Sequence, residues 1–423
     1  MERTQMSKLR NILLSGFIIV FLCGFKFNGV EYPLPDYSQN SAAWHARNDA
    51  LIPGEEEQKA IMELAAANGV VFNLQSDDYD GDGVPNQYDP SPYDWRETGY
   101  DPFAVLAFLN WSHDWNSYAY QGDKLDQAVA VMAKSGIPFV RMDFSWEDIQ
   151  PSEGEWQFDK YDRIVKLLTD NNIRILGIVS YSATWASSNK DHLWNYPPKD
   201  DKYFTDYAVA VISRYKNKVK YWEVWNEPDS RSYWVPQDML VGYTQILKET
   251  YAVAKRTDPS CKIVLGGLAD AWKIDWIYKN GGKDYFDVAN IHILISPLND
   301  APLSVVKSSI NQVRKTMVRF GDGEKSIWIT ELGCPGVPKK MKSLRWFAGM
   351  SPNEKQQAEW LGQVYREIPK EPLVDKVFWA FFRDSGGYFK NGVDYFGLIR
   401  WDFSEKPSML EYEKVIKSWQ GLK

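Results

Sequence analysis

The stretch YWEVWNEP, residues 221–228, has the composition of a buried β-strand that delivers the carboxylate of Glu227 at its carboxyl end. Aromatic and β-branched side chains are enriched in strands because they pack well on a pleated surface. The stretch IWITELG, residues 327–333, repeats this pattern with Glu331. A single Glu at a strand end is usually a solvated residue, but two in the same setting predict a shared site.

Strand and helix patterns alternate from residue 101 onward. The strands are near-continuous apolar runs, as expected of parallel strands covered on both faces. They are predicted at 103–109, 138–144, 174–181, 219–226, 262–268, 287–294, 326–331 and 376–382. Amphipathic helices are predicted near 123–135, 159–171, 202–216, 238–256, 272–280, 302–320, 352–369 and 406–419. This alternation predicts an α/β protein with a (β/α)8 TIM barrel.

The active site of such a barrel lies at the carboxyl ends of its strands. Glu227 ends the fourth predicted strand, and Glu331 ends the seventh. Arg141, His292 and Trp379 lie late in the second, sixth and eighth strands. The polar residues are therefore expected at one mouth. Two carboxylates that face one cavity are what glycoside hydrolysis requires, so we expect a glycosidase.

The supporting residues also have ordinary structural interpretations. Arg141 could form an interior ion pair, His292 could be a satisfied core histidine, and Trp379 could be barrel packing. Tyr181 and Trp185, at or after the end of the third strand, are candidate sugar contacts because flat aromatic rings stack on sugars, but they could equally be packing residues. We favour the functional interpretation because these residues converge on one end of the barrel.

The motifs WNEP at 225–228 and Thr330-Glu331 resemble clan A of the glycoside hydrolases. The resemblance covers about residues 101–410 and extends to WEDIQP at 146–151 and GLIRW at 397–401. Within the clan, the chain is most similar to family 39, including its bacterial exopolysaccharide endoglycosidases, and next to family 5.

The resemblance implies a retaining double-displacement mechanism, with Glu227 as acid/base and Glu331 as nucleophile. It implies further roles in sugar binding and positioning: Asn226 for the 2-hydroxyl, Arg141 for orienting Glu331, His292 for the acid/base and Trp379 for the floor of the sugar subsite. Two positions depart from the clan. Leu294 stands where many members have an aromatic hydroxyl, and Ser180 or Tyr181 where family 5 often has His.

Residues 78–92, DYDGDGVPNQYDPSP, contain a second chemical feature. Carboxylates at loop positions 1, 3, 5 and 12, with Gly at position 6, match the spacing of a calcium loop and resemble the repeats of thrombospondin type 3 modules. The expected ligands are Asp78, Asp80, Asp82, the carbonyl of Val84, Asn86 and Asp89. The alternative is an acidic turn without a cation. We expect a structural Ca²⁺ ion, and no cofactor for catalysis.

The amino-terminal segment has the pattern of an export signal. Lys8 and Arg10 precede an apolar run at 12–25, which is about 14 residues and therefore short for a membrane span. We assign residues 1–28 to a signal peptide or signal anchor, 29–100 to an extension that carries the calcium loop at 78–89, and 101–423 to the barrel. The protein is then exported: secreted, periplasmic or anchored at the cell surface.

Composition restricts the partners of the chain. The net charge of −7 and the absence of a basic run argue against nucleic acid. The 19 Trp and 24 Tyr suit a carbohydrate substrate, and we expect a monomer. Cys261 and Cys334 lie at opposite ends of predicted strands, beyond disulfide reach, so both should be free. Two alternatives are a transglycosylase with the same site and a carbohydrate-binding surface protein that has lost catalysis.

The calcium loop makes a prediction about stability. A cation bound only by the folded state stabilises that state by mass action. Chelation with EDTA should therefore lower the melting temperature, and excess Ca²⁺ should restore it. A melting temperature that changes with neither EDTA nor Ca²⁺ would favour the alternative, an acidic turn without a cation.

Overall fold

The computed structural model describes residues 25–27, 30–32, 63, 101–111, 120–338, 351–390 and 392–420. Most of the predicted export segment and the whole calcium loop, with Asp78, Asp80, Asp82, Val84, Asn86 and Asp89, lie outside the described residues, so both stay predictions. Two compact units are present. In the first unit, residues 1–49, the short strands Phe25–Phe27 and Val30–Tyr32 pair in antiparallel fashion.

Eight parallel strands in the described part of the second unit close into a barrel, which confirms the predicted fold. The strands follow the chain around the barrel, and the last pairs with the first. Their bounds are β1 Phe103–Leu106, β2 Phe139–Ser145, β3 Arg174–Ser180, β4 Tyr221–Val224, β5 Lys262–Leu265, β6 Val288–Leu294, β7 Ser326–Gly333 and β8 Val374–Ala380.

Helices connect consecutive strands and surround the barrel, because a parallel strand pair needs a crossover connection. Their bounds are α1 Lys124–Lys134, α2 Trp146–Ile149, α3 Asp159–Asp170, α4 Asp201–Tyr215, α5 Val241–Thr257, α6 Ile274–Lys279, α7 Pro302–Arg319, α8 Glu354–Glu367 and α9 Pro407–Gln420. Their buried faces pack on the outer surface of the strands in one continuous apolar core. None of the helices in the described residues is both long and apolar enough to span a membrane.

The interior of the barrel contains an apolar layer, which we call the floor. It consists of one side chain from each strand: Ala104, Phe139, Leu176, Tyr221, Val264, Val288, Trp328 and Phe378. Because alternate residues of a strand face the same side, the residue two positions after each floor residue also points inward. Arg141 on β2 and Glu223 on β4 therefore lie one layer above the floor, towards the carboxyl ends.

The strand order matches the sequence prediction, while some strand ends differ. β4 ends at Val224 rather than at residue 226, because Trp225 adopts a positive φ of 68° that interrupts extended backbone. β7 continues to Gly333, beyond the predicted end at Glu331. Cys261 and Cys334 are both buried, and neither forms a disulfide bond, as expected.

Candidate active site

A buried ion pair forms the base of the candidate site. Arg141 is 1% exposed and Glu223 is fully buried. The guanidinium donates from Nε to Glu223 Oε2 at 2.7 Å and from Nη2 to Oε1 at 2.9 Å. Such a two-pronged contact fixes the plane of the guanidinium. The backbone N–H of Gly267 donates to Glu223 Oε1 at 3.0 Å, so the carboxylate is also held by the segment that follows β5.

Arg141 presents its remaining N–H groups to two predicted site residues. Its Nη2 donates to Asn226 Oδ1 at 2.7 Å, and its Nη1 donates to Glu331 Oε1 at 2.8 Å. One rigid cation therefore positions residues that follow β4 and lie on β7. Burial opposes the charge of Arg141, but Glu223 and Glu331 outweigh burial and raise the pKa of the guanidinium.

The turn after β4 aims Glu227 into the barrel mouth. Trp225 and Glu227 both have positive φ, 68° and 41°, a backbone conformation that is strained for residues other than glycine. The N–H of Glu227 donates to the carbonyl of Gly267 at 3.1 Å. Gly267 is also in close contact with His292, because a Cβ at this position would overlap the imidazole.

His292, on β6, lies close to both carboxylates. Its Nδ1 is 3.0 Å from Glu227 Oε1 and 3.8 Å from Glu331 Oε1. One oxygen of Glu227 and one of Glu331 lie within 4.8 Å of each other. Both side chains are partly open, with 15% and 12% exposure, whereas that of His292 is 2% exposed. The structure thus brings the two glutamates of the sequence motifs to one mouth.

A β-bulge in β7 brings two consecutive side chains towards His292. Ile291 pairs with Ile329, but His292 pairs with Glu331, which leaves Thr330 as the extra residue. A bulge redirects side chains that would otherwise alternate. Thr330 Oγ1 lies 3.0 Å from His292 Nε2, while Glu331 faces Arg141 and His292 Nδ1. Asn290, on β6, hydrogen-bonds both the backbone and the side chain of Thr330.

The pKa values of His292 and Asp143 are also shifted. Burial opposes a charge on His292, but Glu331 and the hydrogen bond with Glu227 outweigh burial and raise its pKa above the ordinary value. Asp143, two residues after Arg141 on β2, is half-buried. Burial raises its pKa to about 6; Arg141 and a weak hydrogen bond from Ser180 oppose this increase.

The predicted aromatic sugar contacts lie in different surroundings. Trp379 is fully buried and donates from its indole nitrogen to the carbonyl of Phe396 at 3.2 Å. Trp185 is half-buried, and its indole nitrogen donates to the carbonyl of Gln150 at 2.7 Å. Tyr181 is half-buried at the end of β3. The sugar contacts of all three aromatic residues stay predictions.

Sequence reasoning did not single out Glu223, Asp143 or Tyr233. Glu223 and Arg141 each place a charge inside an apolar strand, and buried charges are normally paired, so the pairing could have been found from that signal. The ring of Tyr233 stacks near that of Tyr181, with centroids 6.0 Å apart. Burial, followed by the charges of Glu227 and Glu331, raises the pKa of Tyr233. Tyr233 lies in a loop, where no strand or helix periodicity marks a residue as part of the site.

Comparison with known families agrees with this geometry. The family model described as glycosyl hydrolase catalytic core matches residues 181–394, half of the 423-residue chain. A model of the β-galactosidase family of glycosyl hydrolases matches residues 114–185. The chain belongs to the glycosyl hydrolase catalytic core family. The glycoside hydrolase membership expected from the sequence is thus confirmed.

Individual relatives are distant. The β-galactosidase BgaB of a Geobacillus species is 23% identical over 171 residues, which is 35% of this chain and 25% of that protein. A family 39 glycoside hydrolase from Bacteroides cellulosilyticus has a TM-score of 0.57 at 20% identity, over 74% of this chain and 63% of that one. A β-xylosidase from Caulobacter crescentus has a TM-score of 0.58 at 16% identity, over 75% and 68%. These solved structures share the fold.

Glu223→Gln should destabilise the protein by about 3–5 kcal/mol, because it removes the buried carboxylate that pairs with Nε and Nη2 of Arg141 and leaves only Glu331 to balance the guanidinium. Denaturant unfolding of the purified variant measures this loss. The control is Asp170→Asn, which breaks the exposed Lys166–Asp170 pair and should change little. Equal effects in the two variants would contradict a structural role for the buried pair.

Asp143 predicts a pH-dependent difference in stability. Its folded-state pKa of about 6 lies above the ordinary value of 3.8, so the folded protein binds this proton more tightly than the unfolded chain does. The stabilisation that protonated Asp143 gives the folded state is therefore complete below pH 3.8 and is lost as the pH rises through 6. The melting temperature of Asp143→Asn should therefore rise relative to that of the wild type between pH 4 and pH 7.5, by roughly 2–4 °C. A difference that is constant with pH would contradict this.

Proposed function

We propose that this protein is a retaining glycosidase that cleaves β-linked oligo- or polysaccharides, with Glu227 as acid/base and Glu331 as nucleophile. The observation that carries the proposal is the separation of the two carboxylates. Their nearest oxygens lie within 4.8 Å at the barrel mouth. Retaining enzymes keep their carboxyl groups about 5–5.5 Å apart, whereas inverting enzymes need about 6.5–9.5 Å to admit a water molecule.

The different partners of the two glutamates support the assignment of roles. Arg141, a permanent cation, donates to Glu331 Oε1 at 2.8 Å and holds the carboxylate in a fixed orientation, as a nucleophile needs. This contact leaves Oε2 of Glu331 to attack the anomeric carbon. Glu227 instead contacts His292, which can exchange a proton with it. An acid/base must gain and lose a proton in each cycle, so this partner suits Glu227.

The reaction then has two steps. Glu331 attacks the anomeric carbon while Glu227 gives its proton to the leaving oxygen, which forms a covalent glycosyl-enzyme. Glu227, now a carboxylate, takes a proton from water, and that water displaces Glu331. Two inversions at one carbon restore the original configuration. Asn226, whose Oδ1 accepts from Arg141, has its Nδ2 left to donate to the 2-hydroxyl of the sugar.

The substrate class rests on likeness and on the sequence. The similar proteins named above are a β-galactosidase, a β-xylosidase and a family 39 glycoside hydrolase. The motif resemblance to exopolysaccharide endoglycosidases adds bacterial polysaccharides as candidate substrates. The apolar segment at 12–25 and the acidic loop at 78–89 support export and calcium binding. We therefore propose that the enzyme acts outside the cytoplasm on β-linked glycans. Assays of polysaccharide hydrolysis, with product lengths measured, test this.

Substitution of each glutamate separates the two roles. Glu331→Ala should abolish turnover of aryl β-glycosides, and azide should restore it as an inverted glycosyl azide. Glu227→Ala should lower kcat/KM about 10²–10⁴-fold on phenyl glycosides. It should lower kcat/KM little on 2,4-dinitrophenyl glycosides, because their leaving group needs no proton. Azide should then give a product of retained configuration. Proton NMR of the products identifies the anomer.

Glu359→Ala is the matched control, because Glu359 lies exposed on α8, on the outer surface of the barrel. It should keep wild-type kinetics. Exchanged azide rescue patterns would reverse the roles of Glu227 and Glu331. An inverted product from the wild-type enzyme would overturn the retaining mechanism. In the wild type, an added sugar acceptor that intercepts the glycosyl-enzyme would identify transglycosylation at the same site.

A further inference from the structure

The hydrogen bonds beneath Glu227 determine where His292 carries its proton. The donors and acceptors can be assigned one by one from Asn290, which is fully buried on β6. Its Nδ2 donates to the carbonyl of Leu265 at 3.0 Å, and its Oδ1 accepts from the N–H of Thr330 at 3.2 Å. Rotation of the amide by 180° would place two acceptors together and two donors together. The orientation of Asn290 is therefore fixed.

The hydroxyl of Thr330 is fixed in turn. Thr330 Oγ1 lies 2.9 Å from Asn290 Oδ1, a distance between two oxygens that requires a proton between them. Oδ1 has none to give, so the hydroxyl proton of Thr330 points at Asn290. Oγ1 therefore presents a lone pair to His292 Nε2, which lies 3.0 Å away. Nε2 must carry a proton to make this contact.

We propose that Asn290 and Thr330 are positioning residues that hold the proton of neutral His292 on Nε2, so that a bare Nδ1 faces Glu227. This inference rests on the proposed role of Glu227. Nδ1 lies 3.0 Å from Glu227 Oε1. That contact needs one proton, carried either by the carboxyl group or by an imidazolium. A carboxylate beside neutral His292 would place two lone pairs against each other, and the geometry disfavours that state.

The functional consequence concerns the proton shared by Glu227 and His292. The pair retains this proton to higher pH than it would if neutral His292 could move its own proton to Nδ1 and donate it to the carboxylate. The first step of the proposed reaction draws on this proton. Three charged groups contact or face His292: Glu227, Glu331 and Arg141. The charge of Glu227 in turn acts on Asp229, Tyr181 and Tyr233. The backbone N–H groups of Ala269 and Asp270 donate hydrogen bonds to the two carboxylate oxygens of Asp229.

Thr330→Val tests the proposal by removing the lone pair that faces Nε2. Neutral His292 can then move its proton to Nδ1 and donate to the carboxylate of Glu227. ¹⁵N NMR of the full chain labelled at its four histidines reports this directly. Wild-type neutral His292 should be the Nε2–H tautomer, and the variant should populate Nδ1–H. His292→Ala assigns the signal. Wild-type neutral His292 found as Nδ1–H would overturn the proposal.

The same variant should shift the pH dependence of kcat/KM on phenyl β-glycosides. Its alkaline limb should move to lower pH by roughly one pH unit, as expected when one hydrogen bond to a charged group is gained. Thr330→Ser, which keeps the hydroxyl, should restore the wild-type tautomer and profile. An unshifted limb in Thr330→Val would overturn the proposal. Because Asp143 has a pKa of about 6, the comparison is repeated in an Asp143→Asn background.

Asn290→Ala provides an independent route to the same result. Without Oδ1, the Thr330 hydroxyl can turn and donate to Nε2, which also permits the Nδ1–H tautomer. Thr244→Val, which removes a buried hydroxyl on α5 that donates to the carbonyl of Leu240, is the matched control and should leave the tautomer and the pH profile unchanged. If no aryl glycoside is cleaved, the proposed function fails. The NMR tautomer and its titration still decide the proton assignment.

Discussion

The polar part of this barrel depends on the buried ion pair between Arg141 and Glu223. An unpaired charge at this depth would cost several kcal/mol, so each side chain requires the other. The pair lies directly above the apolar floor, which holds it away from water on one side. With its plane fixed, the guanidinium has N–H groups in definite directions, and these position Asn226 and Glu331. The orientation of Glu331, the proposed nucleophile, is thus set in the core rather than at the surface.

Much of the barrel could be predicted from the sequence, because parallel strands covered on both faces are visible as apolar runs separated by amphipathic helices. The same runs end at Glu227 and Glu331, so the two carboxylates could also be placed at one mouth. Residue alternation, together with a buried-charge argument, would have paired Glu223 with Arg141. The strand pattern alone did not identify Glu223, because this residue lies inside a segment that was recognised as a strand by its apolar neighbours.

The bulge at Thr330 could not be predicted. It contains no glycine to mark it, and it exists only because the registers of β6 and β7 differ by one residue across it. Strict alternation would turn either Thr330 or Glu331 away from the interior. Tyr233 was also beyond prediction, because it comes from a loop, yet its ring stacks near that of Tyr181.

The close contact between Gly267 and His292 has an evolutionary consequence. Any side chain at position 267 would occupy the space of the imidazole, and the backbone of Gly267 also bonds both Glu223 and the N–H of Glu227. The two positions are therefore epistatic: a larger residue at 267 becomes admissible only after a smaller one has replaced His292. That order of substitution passes through a protein without its histidine. Substitution at position 267 is consequently blocked for as long as His292 is retained.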